Sequence, residues 1–135
     1  MVDKFDWPVR VYYEDTDSGG VVYHSNYLNF MERARTEWLR SLGFEQNELM
    51  GQHHCIFAVH SLNMNFKRPA RFNDALLVQS EILKVAGASI QFDQKVLRDG
   101  ELLCKAEVKV ACLNSNGFRP MSIPSFMITR MQGEC

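Results

Sequence analysis

The chain lacks most of the features that announce a function by themselves. Its 4 cysteines (Cys55, Cys104, Cys112 and Cys135) form no C-x-x-C pair, so no zinc ribbon or thioredoxin-like redox motif is spelled out. No linker, low-complexity segment or internal repeat interrupts it. No apolar run approaches the ~20 residues that a membrane helix needs. There is no excess of charge: 15 Lys and Arg against 16 Asp and Glu give a net charge of −1. A nucleic-acid binder would show a clustered basic surface, and here only Lys67, Arg68 and Arg71 cluster. The G-x-S-x-G nucleophile elbow, G-x-G-x-x-G, the P-loop and H-E-x-x-H are all missing. The 4 histidines are His24, His53, His54 and His60. The adjacent pair His53 and His54 would diverge on a helix or a strand, so no metal site is expected. The opening Met1 to Asp6 is acidic and lacks a signal peptide's apolar stretch. These absences predict a cytoplasmic protein with no metal and no redox cofactor. Its thiols are expected to stay reduced, with Cys104 and Cys112 acting as small core residues.

What is present is an ordinary globular composition, 46% hydrophobic and 23% charged over 135 residues, which fits one domain spanning 1–135. A domain of that size buries only about two-thirds of its unfolded surface, so self-association would help it.

Val9, Val11 and Tyr13 alternate with polar neighbours, predicting a strand over Val9–Glu14. Asp15-Thr16-Asp17-Ser18-Gly19-Gly20 reads as a loop. Tyr27, Met31, Ala34, Trp38 and Leu42, with Leu28 and Leu39 beside them, form one apolar stripe at helical spacing. The predicted helix starts at Ser25 or Asn26, either of which can cap it, and stops before Gly43. A short helix is predicted near Gln46–Met50. The period then becomes two. Ile56, Ala58, His60, Leu62, Met64 and Phe66 are expected on one face of a long strand ending at Pro69. Strands follow over Leu76–Val85, Ala88–Leu97 and Leu102–Leu113, with Asp99-Gly100 as a hairpin turn. The tail from Pro120 to Ile128 reads as a short strand or irregular edge. One long helix and about five antiparallel strands define an α+β chain whose sheet wraps a central helix, the hotdog arrangement.

The Asp15–Gly20 loop fails as a calcium loop. Counted from Asp15, position 5 is Gly19, and position 12 is Asn26 where a bidentate Glu is needed. It makes better sense as a strand-to-helix loop. A helix N-terminus offers unpaired N–H groups and partial positive charge, and Gly19 and Gly20 permit close approach to the backbone. A carboxylate there could attack, or activate water against, a carbonyl polarised by those donors. A plain Asp/Ser/Gly turn has the same composition.

The run from Val9 to Tyr27, VRVYYEDTDSGGVVYHSNY, resembles the opening motif of the 4-hydroxybenzoyl-CoA thioesterase family, closest to the Tol-Pal-associated acyl-CoA thioesterases of YbgC type. Glu32–Glu37, Phe66–Ala70 and Ala106–Val110 extend the resemblance over nearly the whole chain. It implies hydrolysis of acyl-CoA to free acid and CoA, with Asp17 as nucleophile or general base. It places Gly20 and the His24 N–H at the carbonyl-polarising helix start. His24 stands where benzoyl-CoA members carry Tyr, which implies an aliphatic acyl group. Its side chain either handles protons, as a near-neutral pKa suits, or merely orients the backbone. Tyr23 and Tyr27 line the acyl pocket or pack the helix face, and Asp15 shapes the loop. Glu32 and Arg33 orient the site or form a salt bridge. Lys67, Arg68, Arg71 and Lys84 are the candidate partners of the CoA phosphates. The resemblance also implies a homo-oligomer, a dimer at minimum and a tetramer as the fuller form. An acyl carrier protein is a further candidate partner. A hotdog hydratase or dehydratase, and a non-enzymatic scaffold in envelope or phospholipid assembly, are the rival readings.

Overall fold

The structure is a computed structural model that describes residues 4–132. The Met1–Asp3 end of the acidic opening and Cys135 lie outside the described residues. Nine elements follow in order, beginning with strand β1 (Lys4–Arg10), a 3-10 turn (Tyr13–Asp15), helix α1 (His24–Ser41) and helix α2 (Gln46–His53). Strands β2 (Cys55–Phe66), β3 (Ala75–Ala86), β4 (Ser89–Arg98) and β5 (Glu101–Asn114) come next, then helix α3 (Ser125–Met131). The strands form one antiparallel sheet in the order β1-β3-β4-β5-β2.

α1 packs on the sheet by burying Tyr27, Phe30, Met31, Ala34, Trp38 and Leu39. Those positions recur every three or four residues, which puts them on one helical face. Trp38 meets Phe92 of β4 edge-on, with ring centroids 5.3 Å apart. Leu28, expected in the stripe, is exposed instead. Across from the helix, β4 offers Ile90, Phe92 and Val96 and β5 offers Cys104, Ala106, Val108, Val110 and Cys112. Cys55 is buried as well, its Sγ 3.2 Å from that of Cys112. Burial pushes the Cys104 thiol up to about 11, consistent with a core residue.

Four expectations change. The first strand ends at Arg10 rather than starting at Val9, and its half-buried residues are Phe5, Trp7 and Val9. The chain turns after Arg10 because the Asp15 carboxylate accepts the Tyr12 N–H at 2.8 Å. α1 starts at His24, so neither Ser25 nor Asn26 caps it; Tyr23 holds the cap position without a side-chain bond. The single face predicted for β2 is split. Val59 pairs with Val110 but Ser61 with Lys109, leaving His60 as the extra residue of a β-bulge. Phe57 and Val59 pair with core-facing Cys112 and Val110, and Leu62, Met64 and Phe66 pair with Val108, Ala106 and Cys104. Ile56 and Ala58 therefore face the other way. Finally, the tail is irregular only as far as Pro124, with Pro120 bridged to Leu113, and then becomes a helix: Pro124 holds the cap position of α3, which buries Met127 and Met131.

Candidate active site

The loop before α1 is held by backbone pairs. Asp17 N donates to Val21 O at 2.9 Å and Gly20 N to Asp17 O at 3.1 Å. Gly20 takes φ +80°, a left-handed conformation that favours glycine. The exposed Asp17 carboxylate accepts the Gly19 amide at 2.8 Å through Oδ1. Asp15, only 8% exposed, is the anchor. Its Oδ2 takes Tyr12 N, its Oδ1 takes the Asn26 side-chain amide at 2.8 Å and its main-chain oxygen takes Tyr23 N at 3.0 Å. One buried carboxylate thus ties the 3-10 turn, the loop and the first turn of α1 together.

The start of the helix is left open. Asn26 N is paired with Tyr23 O at 2.9 Å. The His24 and Ser25 amides have no acceptor among the described residues. Two N–H groups at the positive end of an 18-residue helix form a site for developing negative charge.

Val21, Val22, His24, Tyr27, Phe66, Lys67, Arg68 and Pro69 line a cavity of about 230 Å³ at this point. The His24 ring lies 4.6 Å from the Phe66 ring, centroid to centroid, and Tyr27 lies 5.4 Å from it. The buried Tyr27 hydroxyl accepts the Ala70 amide at 3.0 Å, while Ala70 O accepts Val22 N at 2.8 Å. The Tyr27 hydroxyl is pushed above its usual pKa by burial, with the Ala70 bond opposing. Lys67 and Arg68 are positioned through their backbones, both amides donating to Leu103 O. Arg98 secures the segment by donating to Pro69 O at 3.3 Å and to Asp74 Oδ2 at 2.8 Å.

His24, Tyr27, Lys67 and Arg68 are therefore brought together, with Asp17 and Gly20 in the adjoining loop. Tyr23 is 56% exposed and does not line the cavity. Arg71 reaches the loop by a backbone bridge to Val21. Lys84 does not join them. It sits at the far end of β3 beside a bulge opposite Gln91, roughly 30 Å along the strand from Ala75 at ~3.3 Å per residue. Phe66, Asn26 and Arg98 are the participants that sequence reasoning missed. Phe66 followed from its strand pattern only as a core residue. The Asn26–Asp15 and Arg98–Pro69 contacts are long-range and leave no local signal.

Residues 19–105 match the thioesterase superfamily, a span that opens two residues after Asp17. The chain is 48% identical over 125 residues, 92% of each chain, to the acyl-CoA thioesterase YbgC of Haemophilus influenzae. It is 43% identical over 129 residues to the acyl-CoA thioester hydrolase YbgC of Escherichia coli, covering 95% of this chain and 96% of that one. A probable thioesterase from Bartonella henselae, 36% identical, superposes with a TM-score of 0.86 over 90% of this chain and 100% of its own. With a hotdog fold and a match over most of its length, the chain belongs to the thioesterase superfamily and is an enzyme.

Proposed function

We propose that the protein hydrolyses acyl-CoA thioesters, aliphatic ones in preference to 4-hydroxybenzoyl-CoA, with Asp17 as nucleophile or general base. The observation that carries this reading is the pair of unpartnered amides at His24 and Ser25, at the head of the helix into which the Asp17 loop runs. The names of the relatives from Haemophilus influenzae and Escherichia coli support the substrate class. The thioester carbonyl oxygen takes the free amides. Asp17 attacks the carbonyl carbon, or removes a proton from the water that does. Negative charge on that oxygen is stabilised by donors already in place, so little reorganisation is needed. The C–S bond then breaks, CoA leaves as a thiolate that gains a proton, and water supplies the oxygen of the free acid. Lys67 and Arg68 stand at the cavity for CoA phosphates, although Arg68 also pairs with Glu101 at 3.0 Å. As proposed, the reaction needs water alone.

The working unit in this reading is at least a dimer. β2 and β1 are the two sheet edges. β1 is 7 residues long and contains Pro8, which cannot donate to a ladder. β2 offers 12 residues without proline. An exposed edge of that length invites a second copy, and pairing of two β2 strands would make one continuous sheet. Light scattering should show a mass of about twice 15.6 kDa or more at micromolar concentration; a single 15.6 kDa species overturns the assembly.

The mechanism is tested by Asp17→Asn on a panel of aliphatic and aromatic acyl-CoAs. Asn keeps the size of Asp but is neither base nor nucleophile. The expected loss is roughly 10²-fold or more in kcat with little change in KM. Near-wild-type turnover by the folded variant would overturn the assignment of Asp17. A higher kcat/KM on 4-hydroxybenzoyl-CoA would overturn the aliphatic preference.

A further inference from the structure

Two of the buried thiols face each other. Cys55 opens β2 and Cys112 lies near the end of β5. The register sets them on a diagonal, with Cys55 opposite Asn114 and Phe57 opposite Cys112, so both side chains share the core-facing side of the sheet. Both residues are almost wholly buried, and their sulfurs lie 3.2 Å apart. Cys104, also buried, makes no such contact among the described residues. The bond between the two thiols divides them. It holds Cys55 below its ordinary pKa against the opposing effect of burial, while the same bond and burial together push Cys112 up. Cys55 is therefore the sulfur that yields a thiolate, the form that attacks, and Cys112 the one that keeps its proton.

We propose that Cys55 and Cys112 form a peroxide-reactive dithiol that closes into a reversible disulfide, with Cys55 attacking and Cys112 resolving. The Cys55 sulfur takes the near oxygen of a hydroperoxide, the O–O bond breaks, and the far oxygen leaves with a proton as water or an alcohol. The Cys112 sulfur then attacks the sulfur of the Cys55 sulfenic acid. The S–O bond breaks, and the departing hydroxide takes the Cys112 proton to leave as water. Two electrons pass from the sulfurs to the peroxide, and a dithiol reductant reopens the bond by exchange. A bond of about 2.05 Å requires the sulfurs to close by about 1.2 Å from their separation of 3.2 Å. That movement falls at the end of the ladder, where Cys55 and Asn114 are the outermost pair. Cys55 follows α2 after one left-handed residue, His54, and α2 buries only Leu49. A short helix with so little buried apolar surface opens locally at small cost, which gives the oxidant a route to Cys55. Strand pairing along β2 engages backbone groups, whereas the Cys55 side chain points to the core side. Phe66, at the cavity before α1, lies at the other end of β2, so the inference does not rest on the proposed hydrolysis.

The test treats the folded full chain with a small excess of hydrogen peroxide, then denatures and alkylates it. Two of the 4 cysteines should be blocked, the mass before alkylation should fall by two hydrogens, and a peptide map should contain a Cys55–Cys112 cross-link. Dithiothreitol should restore all 4 thiols. Cys112→Ser should halt Cys55 at the sulfenic acid, which dimedone captures, and Cys55→Ser should leave Cys112 unmodified. Cys104→Ser should form the bond as the wild type does. Four alkylatable thiols after peroxide, a cross-link through Cys104 or Cys135, or a bond that forms only in the urea-unfolded chain each overturns the site. Dimedone capture on Cys112 in Cys55→Ser, with none on Cys55 in Cys112→Ser, overturns the division of roles. Should either serine variant fail to fold, the peptide map of the wild type decides alone.

Discussion

The two ends of α1 are built on opposite plans. At the N-terminus the His24 and Ser25 amides find no acceptor among the described residues and no side chain caps the helix. At the C-terminus the chain closes on itself repeatedly. Leu42 N reaches Leu39 O and Trp38 O, Gly43 N reaches Arg40 O and Phe44 N reaches Leu39 O. Arg130 of α3 then donates to Leu42 O and lies over the Phe44 ring, 5.9 Å from its centroid. Gly43, at φ +93°, leaves room for this; a Cβ there would come within 2.8 Å of Arg130 Nη1. The same helix could have been capped at both ends by ordinary residues. Closing only one end leaves the other free for the carbonyl-polarising role proposed for it.

The sharpest way to break that comparison is to remove a donor from the open end. Tyr23 is already extended, at φ −70° and ψ 145°, the conformation that a residue before proline adopts, and His24 is the first helical residue, where proline fits. His24→Pro deletes the amide and the imidazole together, whereas His24→Ala deletes only the imidazole. If the amide polarises the carbonyl, His24→Pro should lose on the order of 10²–10³ in kcat, with His24→Ala much closer to wild type. Equal losses would assign the effect to the ring. At the closed end the effect should fall on stability. Arg130→Ala removes a cation from the helix C-terminus and should cost about 1 kcal/mol, measured by urea unfolding, with kcat unchanged. A fall in kcat without a fall in stability would contradict the division between the two ends.

The smallest effect concerns the scaffold around the open end. Burial works against the Asp74 charge, but the Arg71 amide and Arg98 outweigh it and hold its pKa below the usual carboxylate value. A group with a depressed folded pKa stabilises above its unfolded value and loses that contribution as pH falls through the folded one. The stability difference between wild type and Asp74→Asn should therefore be present at neutral pH. It should shrink below about pH 4, near the unperturbed value, in thermal melts across that range. A difference that grows on acidification would invert the assignment.

Much of this was legible in the residues, for physical reasons. The stripe of α1 is long enough for its period to show, and β3, β4 and β5 are flanked by turns that declare themselves, as at Asp99-Gly100. The Asp15–Gly20 segment was legible as a loop through its glycines and its place between elements, while Asp17 was singled out within it by the resemblance alone. The misreadings share one cause, a side chain or a single residue overriding local pattern. Asp15 grips Tyr12 N and ends the extended run. Asn26 leaves its capping role to hold Asp15. α3 is 7 residues long, too short for periodicity to outweigh two prolines. The His24 amide was legible only through the resemblance and the general rule that a helix start leaves donors unpaired; that Ser25 also stays open depends on which acceptors the folded chain brings near.

The bulge at His60 makes β2 a hinge in side-chain parity. Removing that residue would do more than shorten the strand. It would force a choice between the two halves, because both cannot keep their facing with a regular two-residue alternation. If the first half slipped, Phe57 and Val59 would turn outward and Ile56 and Ala58 would replace them beneath α1. If the second half slipped, Phe66 would swing off His24 and Tyr27, and Lys67 would take the inward position. The chain thus carries one apparently idle histidine so that a strand can serve the core along half its length and the cavity at the start of α1 at its end.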